Sequence, residues 1–174
     1  MNRKFENFGL GHVNPPISDS AMYEFESGVE MTEMFEVGIP GRYLYGRHLN
    51  PSNNLLAQDL AKLEGTEAAC VMATGMGAIT CAIMQICAAG DEVIASRTVY
   101  GGTYALLANL LPRFGLTTSF VDVNDLDEVK RKITSKTRVI YCETLSNPLL
   151  ACPDLIALGA LCKERNIKLI VDNT

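Results

Sequence analysis

The feature that most constrains this chain is an alternation of short, wholly apolar runs with segments of helical period. Val139-Ile140-Tyr141 and Leu169-Ile170-Val171 place apolar side chains at successive positions. A strand of that kind is buried on both faces, as in a parallel sheet covered by helices on each side. Strands are expected over 68–73, 92–96, 117–123, 138–142 and 168–172. Helices are expected between them over 78–89, 103–111, 126–133 and 153–165, the last with Pro153 in its first turn. Gly90 stops the first of these helices, and the second carries Leu106, Leu107, Leu110 and Leu111 on one broad face. Upstream, a helix begins after Asn50-Pro51-Ser52. It carries Leu56, Leu60 and Leu63 at helical spacing and is capped by Gly65. The β-α alternation defines an α/β class with a mostly parallel sheet.

Residues 1–41 have no such period and are punctuated by Pro15-Pro16 and Pro40. They are expected to form an extended arm with one short helix over 27–35, lying on a neighbouring subunit; the alternative is a loose terminus. The 174 residues suit one domain with an arm attached. A hydrophobic share of 48% and a charged share of 20% exclude a disordered or fibrous chain. The net charge of −5 argues against a general nucleic-acid binder, which needs a basic face for phosphates. The start of the chain has no apolar leader region. The uncharged stretch 68–90 is long enough to span a bilayer, but Thr74-Gly75-Met76-Gly77 and Gln85 interrupt it. A buried strand, a turn and a packed helix suit it better. The six cysteines have no Cys-x-x-Cys spacing, and both histidines, His12 and His48, are far from them, so no metal site is expected. The cysteines read as buried thiols of a reducing cytoplasm.

In an open α/β sheet the ligand lies beyond the carboxyl ends of the strands, so the strand-exit loops hold the candidate residues. Thr74-Gly75-Met76-Gly77 opens a helix and offers backbone N–H groups to an anion. It lacks the third glycine of a dinucleotide fingerprint and any P-loop lysine, and the alternative is a tight turn. Tyr100, before Gly101-Gly102-Thr103, could stack on a flat cofactor or move a proton. Glu143 and Asn147 flank another exit, where Pro148 is expected to keep Asn147 extended and well placed. Asp172 ends a buried strand, where a carboxylate is costly unless it meets a cation such as a protonated ring nitrogen. Tyr45 and Arg47, in a segment read as extended, would project to one side and together could hold a phosphate. Each of these has a plain structural alternative as a turn, cap or surface residue.

Taken in order, the motifs are Tyr45-x-Arg47, Asn50-Pro51, Leu63-Glu64-Gly65, Gly75-Met76, Tyr100-Gly101-Gly102-Thr103, Glu143-Thr144-x-Ser146-Asn147-Pro148 and Val171-Asp172-Asn173-Thr174. Together they resemble the Cys/Met-metabolism family of pyridoxal-phosphate enzymes from about Pro15 to Thr174. The resemblance implies a fold-type-I large domain, incomplete here, with residues 1–50 as the arm and 51–174 as its first part. It implies that Gly75 and Met76 bind the cofactor phosphate through backbone N–H groups. Tyr45 and Arg47 would reach the phosphate of a neighbouring subunit, in a homotetramer built from dimers with shared sites. It further implies that Tyr100 stacks on the pyridine ring and moves a proton at the leaving group. Asn147 would bond the ring oxygen, and Asp172 would keep the ring nitrogen protonated so that the ring is an electron sink. Glu143 would stand behind these contacts. Tyr100 and Asp172 are thus the candidate catalytic residues.

The family's cofactor-binding lysine would lie beyond the Asp-Asn-Thr motif. Lys62, Lys130, Lys132, Lys136, Lys163 and Lys168 all stand in the wrong contexts for it. The chain therefore reads as the front part of an enzyme, expected to be inactive by itself, with a last strand whose edge is uncovered. The expected chemistry of the whole protein is γ-elimination from a sulfur amino acid, of the methionine or cystathionine γ-lyase kind. The alternative is γ-replacement, of the cystathionine γ-synthase or O-acetylhomoserine sulfhydrylase kind. Methionine γ-lyases often carry Cys at the position of Gly102, which this chain does not. Two other classes remain open: a nicotinamide dehydrogenase built on Gly75-x-Gly77, and a non-catalytic partner of a full-length relative.

Overall fold

The structure, a computed structural model, describes residues 14–174. His12, the opening residues of the expected arm and the segment read for a leader lie outside the described residues. The chain divides into two compact units, Met1–Val71 and Met72–Thr174.

In the first unit, α1 is Gly28–Glu36, one residue along from the expected helix. Ser27 caps it by accepting the Glu30 N–H at 3.1 Å, while Glu30 reaches back to the Glu26 N–H at 2.8 Å. The exchange satisfies donors that a helix start leaves over. The second helix, α2, is Pro51–Glu64. Pro51 opens it, the Asn50 side chain accepts from the Ser52 and Asn53 N–H groups, and Gly65 ends it at a φ of 66°. Asn50 also donates to the Ser18 carbonyl at 3.0 Å, and the Ser18 N–H donates to Ser52 Oγ at 2.8 Å. The segment before α1 is thereby tied to the start of α2. Leu56, Leu60 and Leu63 are exposed, and Ala61 is the buried residue of this helix.

Residues 68–73 form no strand, contrary to expectation. A strand exists only with a ladder partner, and the sheet of the second unit, ordered β2-β1-β3-β4, runs without them. This unit begins with α3, Gly75–Ile86, which starts and stops three residues before the expected 78–89. Thr74 draws the start forward by accepting the Gly77 N–H at 3.0 Å. Strand β1 is Glu92–Ser96. The helix after it begins earlier and is less regular than expected. α4, Gly101–Ala105, widens into a π turn at Leu106–Leu110 and tightens to a 3-10 turn at Leu111–Phe114. Pro112 has no N–H to give and its ring crowds the preceding turn, so a regular α-helix cannot run through it. Strand β2 is Thr117–Val121, α5 is Leu126–Lys132, β3 is Thr137–Glu143, α6 is Leu155–Arg165 and β4 is Lys168–Asp172. Pro153 precedes the Asp154 cap of α6 rather than sitting in the first turn, because the Asp154 carboxylate takes the Ala157 N–H at 2.9 Å.

All neighbouring strands pair in parallel. One face packs Ile83 of α3, Cys87 just after it, and Leu106, Leu107 and Leu111 against Val93, Val139 and Tyr141. The other packs Val129 of α5 and Leu158, Leu161 and Cys162 of α6 against Ile94, Ile140 and Cys142. Successive strand residues thus serve opposite layers, as the uninterrupted apolar runs require. Three cysteines are buried as expected, Cys87, Cys142 and Cys162, but Cys70, Cys81 and Cys152 are exposed. Cys70 lies in the stretch that failed to become a strand, and Cys81 and Cys152 lie outside the two apolar layers. Among the described residues no helix is long and apolar enough to cross a membrane.

Candidate functional site

Strand order turns around between β1 and β3, since the chain leaves β1 for one side of the sheet and later fills the other. A crevice at the carboxyl ends of these strands is where open α/β sheets receive ligands. Glu143, at the end of β3, bridges it by accepting the Tyr100 N–H at 2.6 Å. A charge-assisted bond of that length fixes the start of the Tyr100 loop. The role of Glu143 is thus concrete: it anchors the backbone of another candidate residue. The Tyr100 ring is largely exposed and folds back over Gly102. A Cβ at Gly102 would lie 2.5 Å from Tyr100 Cε1 and 3.3 Å from Met76 Sδ. Glycine is what lets the ring take this position, and Met76, Tyr100 and Gly102 meet in one place.

Gly75 and Met76 are the first two residues of α3 rather than part of a preceding loop. The Gly77 N–H goes to Thr74 Oγ1 and the Ala78 N–H to the Thr74 carbonyl. The N–H groups of Gly75 and Met76 precede both bonds, at the positive end of the helix.

Asp172 pairs with Glu143 in register at the ends of β4 and β3. Its Oδ1 accepts the Thr174 hydroxyl at 2.6 Å and the Thr174 N–H at 3.0 Å. Its Oδ2 accepts the Tyr141 phenol at 3.0 Å. Burial pushes the carboxyl up, but the Thr174 and Tyr141 hydrogen bonds outweigh it and hold it below the ordinary carboxylate range. Asp172 is therefore an anion at neutral pH.

The loop after β3 is a tight turn, not the extended segment expected from Pro148, and the Asn147–Pro148 peptide is cis. Buried Ser146 closes it: its N–H donates to the Ala151 carbonyl, its Oγ accepts the Ala151 N–H and its carbonyl accepts the Leu150 N–H. These three local bonds close the turn, and Asn147 is left exposed at its tip.

Tyr45 and Arg47, in the first unit, are also on a turn. Tyr45 pairs with Met22 in a single bridge, and its carbonyl accepts from the His48 and Leu49 N–H groups. The Arg47 guanidinium lies 5.0 Å from the centroid of the Tyr45 ring. The two side chains are together, but through a turn and a cation–π contact rather than through strand alternation.

Sequence reading assigned no role to Tyr141, Thr103 or Ser146. Tyr141 stands two residues before Glu143, hence on the same face of β3, and that parity was the available signal. Its bond to Asp172 depends on the β3–β4 register, which no local pattern encodes. A concavity of about 410 Å³ lined by Thr134, Thr137, Arg138 and Arg165 opens at the amino ends of β3 and β4. It is at the opposite end of the sheet from Asp172 and holds none of these groups.

Residues 2–174 match the family model of the Cys/Met metabolism PLP-dependent enzymes. The chain is 40% identical over 169 residues to a methionine gamma-lyase of Arabidopsis thaliana, covering 94% of this chain and 38% of that one. It is 36% identical over 159 residues to an O-acetyl-L-homoserine sulfhydrylase of Leptospira meyeri, covering 91% and 36%. Among solved structures, a cystathionine gamma-lyase of Lactobacillus plantarum in complex with L-serine superposes with a TM-score of 0.82 at 33% identity, over 91% of this chain and 39% of that one. A crystal structure of metB from Corynebacterium glutamicum superposes with a TM-score of 0.88 at 32% identity, over 97% and 42%. The chain thus spans about two-fifths of the length of the relatives it matches. Its parallel sheet with helices on both faces is part of the fold-type-I architecture of those structures, and the chain belongs to the family of Cys/Met metabolism PLP-dependent enzymes.

Proposed function

We propose that the whole protein uses pyridoxal phosphate to eliminate the γ-substituent of a sulfur amino acid, as a methionine or cystathionine γ-lyase does. One observation carries the reading. The strand exits of a single parallel sheet join Tyr100 to Glu143 and leave an ionised Asp172 beside them. The 40% identity to methionine gamma-lyases of Arabidopsis thaliana and Fusobacterium nucleatum favours elimination.

The residues present fit the cofactor. Asp172 Oδ2 has one donor, so an acceptor position is open to a protonated ring nitrogen. Gly102 forms a cradle under Tyr100 that a Cβ would fill. When bound, pyridoxal phosphate supplies an electron sink for the carbanion at the substrate's α-carbon. In this reading Asp172 holds the proton on the ring nitrogen. The Gly75 and Met76 N–H groups bind the phosphate, joined by Tyr45 and Arg47 of a neighbouring subunit. Tyr100 covers the ring and delivers a proton to the leaving sulfur, with its backbone held by Glu143. Asn147 bonds the ring oxygen. Residues 1–50 serve as the arm that reaches the neighbour, and 51–174 as the first part of the large domain, in a cytoplasmic homotetramer of dimers.

Among the described lysines of the second unit, Lys136 and Lys168 stand at the amino ends of β3 and β4, and Lys130, Lys132 and Lys163 on α5 and α6. None of these lysines is at the end that carries Asp172.

The test uses protein expressed from its complete reading frame. Intact mass before and after borohydride reduction reports a lysine-linked cofactor. Release of 2-oxobutanoate from methionine or cystathionine reports elimination, and sedimentation reports the tetramer. Thioether formation from an acylated homoserine without 2-oxobutanoate would overturn elimination in favour of γ-replacement. That second reading is supported by the Leptospira sulfhydrylase relative.

A further inference from the structure

We propose that Tyr141 is a positioning residue for Asp172: its buried phenol aims the carboxylate at the cofactor's ring nitrogen while leaving its negative charge intact. The proposal rests on the pyridoxal-phosphate reading of the site.

Tyr141 is wholly buried in the layer between the sheet and α3. A tyrosine in such a place needs a partner for its hydroxyl, and Asp172 Oδ2 is that partner at 3.0 Å. The two carboxylate oxygens are loaded unequally. Oδ1 takes both donors of Thr174, whereas Oδ2 takes Tyr141 alone. With Oδ1 held by the backbone and Oδ2 by the phenol, the carboxylate plane cannot rotate freely, and the unused lone pair of Oδ2 has one direction. The Thr103 hydroxyl also faces the phenol, without a hydrogen bond of ordinary geometry, and is itself wholly buried. Thr103 lies in α4, three residues after Tyr100.

The choice of a phenol has a chemical consequence. A lysine or arginine at this position would neutralise Asp172 and compete with the ring nitrogen for it. A neutral donor orients the carboxylate and stabilises its charge. Burial pushes the Tyr141 phenol well up, so it stays a donor across the working pH range. The other ionisable group beside the pair is Glu143, on the same face of β3, and it is committed to the Tyr100 N–H.

The test compares two ligands on protein from the complete reading frame: pyridoxal phosphate and its 1-deaza analogue, which has no ring nitrogen. Tyr141→Phe keeps the ring volume and removes the donor. The expected result is an apparent Kd for pyridoxal phosphate raised about tenfold, with that for the deaza analogue unchanged. In parallel, the ¹⁵N signal of ring-labelled cofactor moves toward the unprotonated position. Adding Tyr141→Phe to Asp172→Asn has no further effect on either Kd. Equal weakening for both ligands, or no change for either, would overturn the proposal. Wild-type protein that binds neither ligand would instead overturn the cofactor reading. If Tyr141→Phe does not fold, 3-fluorotyrosine at position 141 retains a stronger donor. It is expected to tighten pyridoxal phosphate selectively, and no selectivity would again reject the proposal.

Discussion

At the scale of single residues, two side chains set the character of the site. Tyr100 can lie where it does because Gly102 has no Cβ. Gly102→Ala would place a methyl 2.5 Å from Cε1 of the ring, at its mobile outer end. The ring is exposed and can swing away, so stability is expected to fall by less than about 1 kcal/mol. Turnover of the whole protein is expected to fall by about 10- to 100-fold, because displacing the group we propose as proton donor costs rate rather than folding energy. Thermal melting and steady-state kinetics on the same variant separate the two. Asp172 has a folded-state pKa below its unfolded one. Its contribution to stability is therefore complete above about pH 4 and is lost as pH falls through the depressed folded value. In Asp172→Asn that acid-dependent component is expected to shrink, as denaturant melts between about pH 2 and pH 5 would show.

At the scale of elements, caps and local clamps decide where segments begin and what they present. The Thr74 side chain starts α3 at Gly75 and so brings the Gly75 and Met76 N–H groups to the front of a helix. Thr74→Ala is expected to cost about 1 kcal/mol and to weaken phosphate binding, read by chemical denaturation and by titration with inorganic phosphate. Ile83, one turn before the end of α3, is wholly buried against the sheet. Ile83→Ala is expected to cost about 2–5 kcal/mol through the cavity it leaves, measurable as a lowered denaturation midpoint with an unchanged slope. Most elements were legible from period and punctuation. Strands β1 and β4 have the expected bounds, α1 and α5 differ by one residue, and α2 ends at the expected Gly65 cap but starts at Pro51, before the expected point after Ser52. The misreadings have physical causes. Residues 68–73 have strand-like composition but no ladder partner, and pairing is a property of two segments. The loop at Asn147 is closed into a turn by the bonds of Ser146 with Leu150 and Ala151, which the turn-forming residues around Pro148 do not specify.

At the scale of the whole molecule, twenty acidic against fifteen basic residues shape what the chain meets in solution. At neutral pH and about 0.15 M salt it is expected to pass through a heparin column unretained, since no excess of cations exists to release counterions. Retention at that ionic strength would show that a local basic surface dominates the net charge. The arrangement of the second unit follows from the parallel sheet. Every strand points its carboxyl end the same way, so side chains far apart in sequence, Tyr100, Glu143 and Asp172, gather at one end without any local signal linking them.

The class of fold was legible in the linear order of residues, and the same order marked the strand-exit loops as the places to look for a ligand site. Apolar periodicity and turn chemistry are local, and the ordered motifs carry the family's resemblance. Tertiary structure alone decided that Glu143 holds the Tyr100 backbone, that Tyr141 backs Asp172, and that the Tyr100 ring rests on Gly102 beside Met76. Apart from the local contact of Tyr100 with Gly102, these contacts join different segments across a strand register or a loop crossing. Their geometry arises only when the sheet pairs and the helices close over it.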